Sequence, residues 1–269
     1  MTTLVFRIKR MKYTIIPLLV FLCLSADAQF FHYPFPPTKA DYAKNAAAQV
    51  KICYEYMIVY DQKTLNRVLE YGAAGLPVVL YEKGTNTAGD STTISENSYK
   101  YSNGRLVMES VTNYVSEEAY KIYYTYNAAG KLLKKMVVEI DPSTYTYVYD
   151  KLGRAVKATI KVRMPEETGK PVDVPRGRYD YTYNIKGQLV QQTHYSQDNE
   201  KQFTAKWEYN NKGQIVKITS YAHGELVYEE LLEYGSNNLL SKRTENKPQE
   251  ATTVFVYEYC TTCKQSWMN

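Results

Sequence analysis

The stretch that decides the fold is Tyr126-Asn127-Ala128-Ala129-Gly130-Lys131-Leu132-Leu133. Stretches with the same pattern begin at Tyr149, Tyr183 and Tyr209, and a copy with one residue fewer in its turn begins at Tyr101. The pattern is Tyr, then Asp or Asn, two variable residues, Gly, a polar residue and two apolar residues. Self-similarity at a spacing of a few tens of residues is typical of repeat proteins, so the sequence predicts an array of equivalent units.

Each unit predicts a β-hairpin. The Asp or Asn side chain can accept a hydrogen bond from the backbone two residues on. Gly supplies the left-handed conformation that closes a type I turn with a G1 bulge. In this register Tyr126 lies opposite Leu132, and the same spacing pairs Tyr183 with Leu189 and Tyr209 with Ile215. The residues predicted to form the repeat turns are Tyr126, Asn127, Gly130, Tyr149, Asp150, Gly153, Tyr183, Asn184, Gly187, Tyr209, Asn210 and Gly213.

The residues that flank these turns predict strands. Tyr145-Thr146-Tyr147-Val148-Tyr149 and Tyr179-Asp180-Tyr181-Thr182-Tyr183 alternate with period two, which places Tyr on one face of a sheet. A repeat of about 25 residues fits two strands and two turns. The less uniform second turns are predicted at Asp141-Pro142-Ser143, Ser196–Glu200 and His223-Gly224.

These patterns together predict an all-β fold. We expect an antiparallel meander of repeated β-hairpins, with about 14 to 16 strands, that forms a long curved or rolled sheet. A short N-terminal helix is predicted between Thr38 and Val50, where the sequence is rich in alanine. An insertion near Val162 to Arg178 lengthens one repeat.

The repeat units resemble YD repeats of the Rhs type. Tyr149, Asp150, Gly153 and Arg154 stand closest to the family pattern, and the resemblance covers residues 54–259. It implies hairpins stacked into long curved sheets in secreted or surface-exposed bacterial proteins, which in large members form a hollow shell around a toxin segment. We expect a short member without a toxin domain, and the repeat motif carries no catalytic residues.

The N-terminus has the three parts of a secretory signal. Basic residues between Arg7 and Lys12 precede an apolar run from Ile15 to Leu24, and Ala26-Asp27-Ala28 predicts cleavage after Ala28. The alternative is a membrane anchor, but the apolar run is about half of the ~20 residues that a spanning helix needs. We therefore expect a periplasmic or extracellular, cell-surface location, with no stable membrane span after cleavage.

The domain division follows from these segments. Residues 1–28 form the cleaved signal, residues 29–50 an aromatic and proline-rich leader with the short helix, residues 51–260 the repeat domain and residues 261–269 a C-terminal tail. The net charge of +5 includes four basic residues and one acid in the signal, which leaves +2 for the remainder. So weak a positive charge does not predict a nucleic-acid partner.

Three cysteines follow the signal: Cys53, Cys260 and Cys263. An exported protein can hold a disulfide, and the C-x-x-C spacing at the end of the chain also occurs in redox and zinc sites. The motif follows a strand-like run and lacks a second ligand pair. We therefore expect a terminal disulfide, either within the motif or to Cys53.

The sequence predicts no catalytic centre, cofactor or metal site. The histidines His32, His194 and His223 are scattered, and no nucleophile elbow, phosphate-binding loop or zinc-peptidase motif is present.

We expect a non-enzymatic protein that binds a glycan or a protein at the cell envelope through its Tyr-rich sheet. One alternative is a scaffold that pairs through its sheet edges with other YD-repeat proteins, and further alternatives are an enzyme with its site under the insertion and an outer-membrane barrel.

The 28 tyrosines support two interpretations. Tyr rings at repeated positions on one face pack well between strands. Tyr rings in an exposed groove stack on sugars and add hydrogen bonds at the rim.

Overall fold

A computed structural model describes residues 43–85, 91–139, 141–165 and 171–262, which form one short helix and sixteen strands. The helix is α1 (Ala43–Ala47), and the strands are β1 (Ile52–Val59), β2 (Gln62–Tyr71), β3 (Pro77–Thr85), β4 (Ser91–Ser102), β5 (Arg105–Asn113), β6 (Glu118–Tyr126), β7 (Leu132–Val138), β8 (Ser143–Tyr149), β9 (Ala155–Met164), β10 (Val172–Tyr183), β11 (Leu189–Tyr195), β12 (Lys201–Tyr209), β13 (Ile215–Ala222), β14 (Glu225–Tyr234), β15 (Leu240–Asn246) and β16 (Thr253–Cys260).

Every strand pairs antiparallel with its sequence neighbours, and β16 pairs with β1 to close the sheet into a barrel. The predicted all-β meander of repeated hairpins with a short N-terminal helix is confirmed, and the sheet is rolled to the point of closure. Because alternate turns of a meander lie at the same end, all the repeat turns share one end of the barrel, which we call the YD end.

The alternation of side chains fixes which face is buried. On β12, Ala205 and Trp207 are buried, and they lie opposite Ser220 and Ile218 of β13, which are also buried. In a closed sheet the continuous buried face lines the interior. The protein interior therefore holds the packed core.

The repeat turns form by local hydrogen bonds. The Asn127 N–H donates to the Lys131 carbonyl and the Gly130 N–H donates to the Asn127 carbonyl, both at 2.9 Å. Gly130 has a φ of 80°, and the pairing register shifts by one residue before Tyr126, which lies opposite Leu132. The turns that begin at Asp150, Asn184 and Asn210 close with the same two bonds.

The Asx side chain makes a longer-range bond in addition to the one that the sequence predicts. The Asn127 Oδ1 atom accepts a hydrogen bond from the backbone N–H of Lys131, four residues on, at 2.9 Å. Asp150, Asn184 and Asn210 make the equivalent bond, and Asn210 also accepts from the N–H two residues on. The side chain thus spans the whole turn.

The second turns lie at the opposite end, between β7 and β8, β11 and β12, and β13 and β14. The insertion is mostly a longer hairpin, because Val162 belongs to β9 and Arg178 to β10. The predicted signal, most of the leader and the residues from Cys263 onward lie outside the described residues. Within the described ranges, α1 is too short to cross a membrane, and no other helix there could do so.

Helix α1 is anchored at the YD end. A Cβ atom on Gly75, in the turn between β2 and β3, would lie 2.5 Å from the backbone nitrogen of Ala46. The backbone of Lys51 bonds to both Cys260 and Tyr71 at 2.9 and 2.8 Å. The segment before β1 therefore packs across the seam where β1 meets β16.

Two glycine substitutions separate backbone strain from close packing. Gly75 and Gly187 have φ of 70° and 79°, but a Cβ atom on Gly187 would have no neighbour within 4 Å. We expect Gly187→Ala to cost about 1 kcal/mol of unfolding free energy through its positive φ. We expect Gly75→Ala to cost about 1–3 kcal/mol more, because α1 must move.

Urea denaturation of both variants measures the difference. Equal losses would show that α1 does not pack on the turn as described.

Candidate functional site

A ladder of tyrosine hydroxyl groups joins successive repeats. Five tyrosines, four of them from the repeat turns and the fifth Tyr234 at the equivalent end of β14, each donate a hydrogen bond to a backbone carbonyl of the preceding repeat. The pairs are Tyr126 to Leu106 (2.8 Å), Tyr149 to Leu132 (2.6 Å), Tyr183 to Ala155 (2.8 Å), Tyr209 to Leu189 (2.7 Å) and Tyr234 to Ile215 (2.8 Å). Sequence reasoning paired each tyrosine only within its own hairpin and missed this contact.

The ladder holds the phenols as neutral donors. Burial raises the pKa of Tyr126 to about 12, so its hydroxyl group stays protonated over the neutral range. The residue that accepts the bond is the one that lies opposite the tyrosine of the preceding turn. Leu132, for example, lies opposite Tyr126 and accepts the bond from Tyr149. The bond therefore repeats with the sequence unit.

The polar residue after each repeat glycine also reaches the next repeat. The cations of Arg105, Lys131 and Arg154 lie 6.0, 5.6 and 5.1 Å from the ring centroids of the following repeat tyrosines. Such cation–π contacts contribute about 0.5–1 kcal/mol at partly exposed sites. A Cβ atom on Gly130 would lie 2.2 Å from the Arg105 guanidinium, so glycine leaves room for this side chain.

A buried ionic network crosses the seam. Glu55 of β1 accepts hydrogen bonds from Arg243 of β15 at 3.1 Å, from Tyr257 of β16 at 2.7 Å and from Arg67 of β2 at 3.2 Å. Arg67 continues to Glu82 at 3.0 Å. Arg243 is 0% exposed and Glu55 1% exposed, so these charges are satisfied by one another rather than by water.

A second polar cluster lies elsewhere in the interior. The Tyr124 hydroxyl donates to Glu109 at 3.2 Å, and the Asn97 amide donates to the same carboxylate at 3.4 Å. Burial raises the pKa of Glu109, although the nearby Lys135 partly opposes the shift. Burial lowers the pKa of Lys135 in turn.

The stacked tyrosines are internal. Tyr145, Tyr179 and Tyr181 form two stacked ring pairs with centroids 6.4 and 6.5 Å apart, and Tyr179 and Tyr181 are buried. This arrangement supports the packing interpretation of these rings. The Tyr-rich face of the sheet is therefore not an open groove for sugars at these positions.

The two histidines of the described ranges lie in different parts of the barrel, and His32 lies outside those ranges. His194 packs against the Tyr179 ring at 4.8 Å, and burial lowers its pKa. His223 has a φ of 50° in an exposed turn of the opposite end. Among the described residues, no group of three or more His, Cys, Asp or Glu side chains could hold a metal ion.

The two described cysteines, Cys53 and Cys260, differ in their chemical state. Cys53 is a buried thiol that lies opposite Tyr259 in the seam. Cys260 is disulfide-bonded. Cys263 lies outside the described residues.

A pocket opens between the last two repeat turns at the YD end. We call this the turn pocket; its volume is about 340 Å³ and its lining residues are Asn210, Asn211, Lys212, Gln214, Val216, Leu232, Tyr234, Gly235 and Asn238. The Lys212 ammonium donates to the Asn238 side chain at 2.8 Å, and the Gln214 amide donates to the Asn238 carbonyl at 3.1 Å. Amide groups therefore dominate its polar wall.

The sequence model of the family described as Teneurin YD-shell matches residues 27–259. The chain belongs to this family, which confirms the resemblance to YD repeats. No curated protein matches the chain.

Two solved structures are similar to the chain to different degrees. A porin-like protein from Bacteroides uniformis aligns with a TM-score of 0.50 and 12% identity over 83% of this chain and 98% of that chain. TcdB2-TccC3 aligns with a TM-score of 0.28 and 13% identity over 74% of this chain and 15% of that chain. At these identities, the first likeness concerns the fold alone.

The ladder predicts that removing one tyrosine hydroxyl group lowers the free energy of unfolding. Tyr209→Phe removes the bond to the Leu189 carbonyl, and we expect it to cost about 0.5–1.5 kcal/mol of unfolding free energy. Tyr60→Phe is the matched control, because Tyr60 is 92% exposed and should change stability by less than about 0.5 kcal/mol. Chemical denaturation would disprove the role of the ladder if both variants lost the same amount.

Glu109 predicts a pH dependence of stability. Its pKa is raised in the folded state, so the folded protein binds the proton more tightly than the unfolded chain. Its contribution is therefore most favourable below the ordinary pKa of a glutamate and is lost as pH rises through the folded pKa. Glu109→Gln removes this titration, so we expect wild type to lose stability relative to the variant between pH 4 and pH 7.

Thermal melting of both proteins across this range tests the sign. A constant difference between them would contradict the raised pKa.

Proposed function

We propose that this YD-shell protein is an exported, non-catalytic envelope protein that binds a glycan in the turn pocket. The observation that carries the proposal is the concentration of amide side chains around a cavity of about 340 Å³. Cavities of this size are typical of small-ligand sites.

The pocket chemistry suits a hydroxyl-rich ligand. Asparagine and glutamine amides each offer donors and an acceptor, which is what a sugar hydroxyl group requires. Asn211 and Lys212 are exposed, and a ligand could replace Asn238 as the acceptor for the Lys212 ammonium, whereas Asn210 and Gln214 are held by the turn. The Tyr234 ring adds an aromatic surface in the same wall.

The repeat turns are a better candidate for the glycan site than the Tyr-rich face of the sheet. The stacked tyrosines are enclosed in the barrel, whereas the turn pocket lies at its end. We therefore assign glycan recognition to the turns and packing to the internal rings. A single sugar unit or a short segment of a polymer would fit the pocket.

The non-catalytic assignment rests on the placement of the titratable groups. Glu55 and Arg67 satisfy each other in the ionic network, and His194 contacts an aromatic ring. The export assignment rests on the predicted signal and on the YD-repeat resemblance. An envelope location also provides glycan ligands.

The scaffold alternative requires a larger change of structure. Each of the sixteen strands has a neighbour on both sides, because β1 pairs with β16 along seven residue pairs. Pairing with another sheet edge would first have to open this seam and separate Arg243 from Glu55. A partner that binds the outer surface would not need this step.

A glycan array followed by calorimetry with the best soluble glycan tests the proposal. We expect Asn211→Ala/Lys212→Ala to weaken binding at least tenfold, because both residues contact the pocket. Ile185→Ala/Lys186→Ala is the matched control, since it changes the equivalent positions of the neighbouring turn, outside the pocket lining. We expect the control to bind within twofold of wild type.

No binding to any glycan would overturn the function. An equal loss in both variants would overturn the assignment to the turn pocket.

A further inference from the structure

The two ends of the barrel carry opposite charge. In the described loops of the YD end, including the segment before β1, seven basic residues face one acid. The basic residues are Lys44, Lys51, Lys131, Lys151, Arg154, Lys186 and Lys212, and the acid is Asp150. We call these seven residues the basic rim.

The described loops of the opposite end reverse this balance. They hold seven acids and one lysine. The acids are Asp61, Glu117, Glu139, Asp141, Asp198, Glu200 and Glu250, and the lysine is Lys247. The small net charge of the whole chain therefore conceals a strong separation of charge along the barrel axis.

Two aliphatic side chains project from the basic rim. Leu152 is 78% exposed and Ile185 is 103% exposed, at the tips of consecutive repeat turns. Lys151 and Lys186 are their immediate sequence neighbours and are also exposed. Since strands lie about 4.8 Å apart and the two turns are two strands apart, the tips stand roughly 10 Å from each other.

We propose that the YD end docks on an anionic lipid bilayer. The basic rim meets the lipid phosphates, and Leu152 and Ile185 enter the boundary between headgroups and acyl chains. The acidic end then points away from the membrane, because like charge repels it. This combination of cations and exposed aliphatic residues is typical of proteins that lie on a membrane surface.

The aliphatic tips favour a bilayer over a soluble polyanion. A nucleic acid or an acidic polysaccharide would pair with the lysines but would offer no apolar layer for Leu152 and Ile185. The basic residues are also confined to one end of the barrel, and an end of this kind can lie against a flat anionic surface. The proposal does not depend on glycan binding, although docking would bring the turn pocket to the level of the lipid headgroups.

Co-sedimentation with vesicles tests the docking. We expect the full chain to bind vesicles of phosphatidylglycerol and phosphatidylcholine, and to bind them less well at higher salt. Lys151→Gln/Lys186→Gln should weaken this binding about 25-fold, since each lysine near an anionic surface contributes about fivefold. The matched control is Lys201→Gln/Lys247→Gln, which changes net charge equally at the opposite end and should bind within twofold of wild type.

The aliphatic tips need their own variant. Leu152→Ser/Ile185→Ser keeps every charge, and we expect it to weaken binding to the same vesicles about tenfold. All variants retain the same N-terminal segment, so any contribution of that segment cancels in the comparison.

A fluorescent reporter checks the orientation. We expect the tryptophan emission of Ile185→Trp to shift to shorter wavelength with anionic vesicles, because the ring enters a less polar layer. Val115→Trp reports on the opposite end, where the residue is also exposed, and its emission should stay unchanged. Absence of vesicle binding, an equal loss in rim and control lysine variants, or a shift only at residue 115 would overturn the proposal.

Discussion

The bond from a tyrosine hydroxyl to the carbonyl of the previous repeat holds the array together. A two-stranded hairpin is marginally stable in water by itself, so each repeat unit depends on its neighbours. The contact from Tyr209 to Leu189 supplies a directed link beyond the strand ladder, and it recurs in five successive places. Gly130 and Gly153 leave room for the side chains of Arg105 and Lys131 from the preceding repeat, so at these two turns the glycine and the contact between repeats depend on one another.

A repeat that links only to its neighbours has no intrinsic reason to stop or to close. Closure depends on residues that break the repeat pattern. Arg243 and Glu55 are 188 residues apart in the sequence, and they meet only when β16 lies beside β1. The desolvation of such a pair offsets much of its attraction, but removing one partner leaves a buried charge at a cost of about 3–5 kcal/mol. The network therefore penalises seams in which these partners are misaligned.

The sequence predicts the local features because local residues determine them. Asn127 and Gly130 define a turn within five positions, and the opposite placement of Tyr126 and Leu132 follows from that turn. The ladder, the closed seam and the turn pocket could not be predicted, because each depends on how one repeat lies against another. Period-two alternation predicts which face of the sheet is buried, but it does not predict how strongly the sheet curves. The contact between Glu55 and Arg243 therefore could not be predicted from the sequence.

The residue that follows the repeat glycine varies along the array, and it contributes both to the basic rim, as Lys131 and Arg154, and to the turn pocket, as Gln214. At three turns a cation follows the glycine and lies over the ring of the next repeat tyrosine, as Lys131 does with Tyr149, whereas Gln188 takes this position in the turn that begins at Asn184. In the turn that begins at Asn210 this position is Gln214, which bonds instead to Asn210 and to the carbonyl of Asn238. The shorter, neutral side chain lies along the turn, and the cavity opens beside it. Because a meander brings alternate turns to one end, such single changes accumulate on one surface, where cationic and amide-rich turns stand side by side.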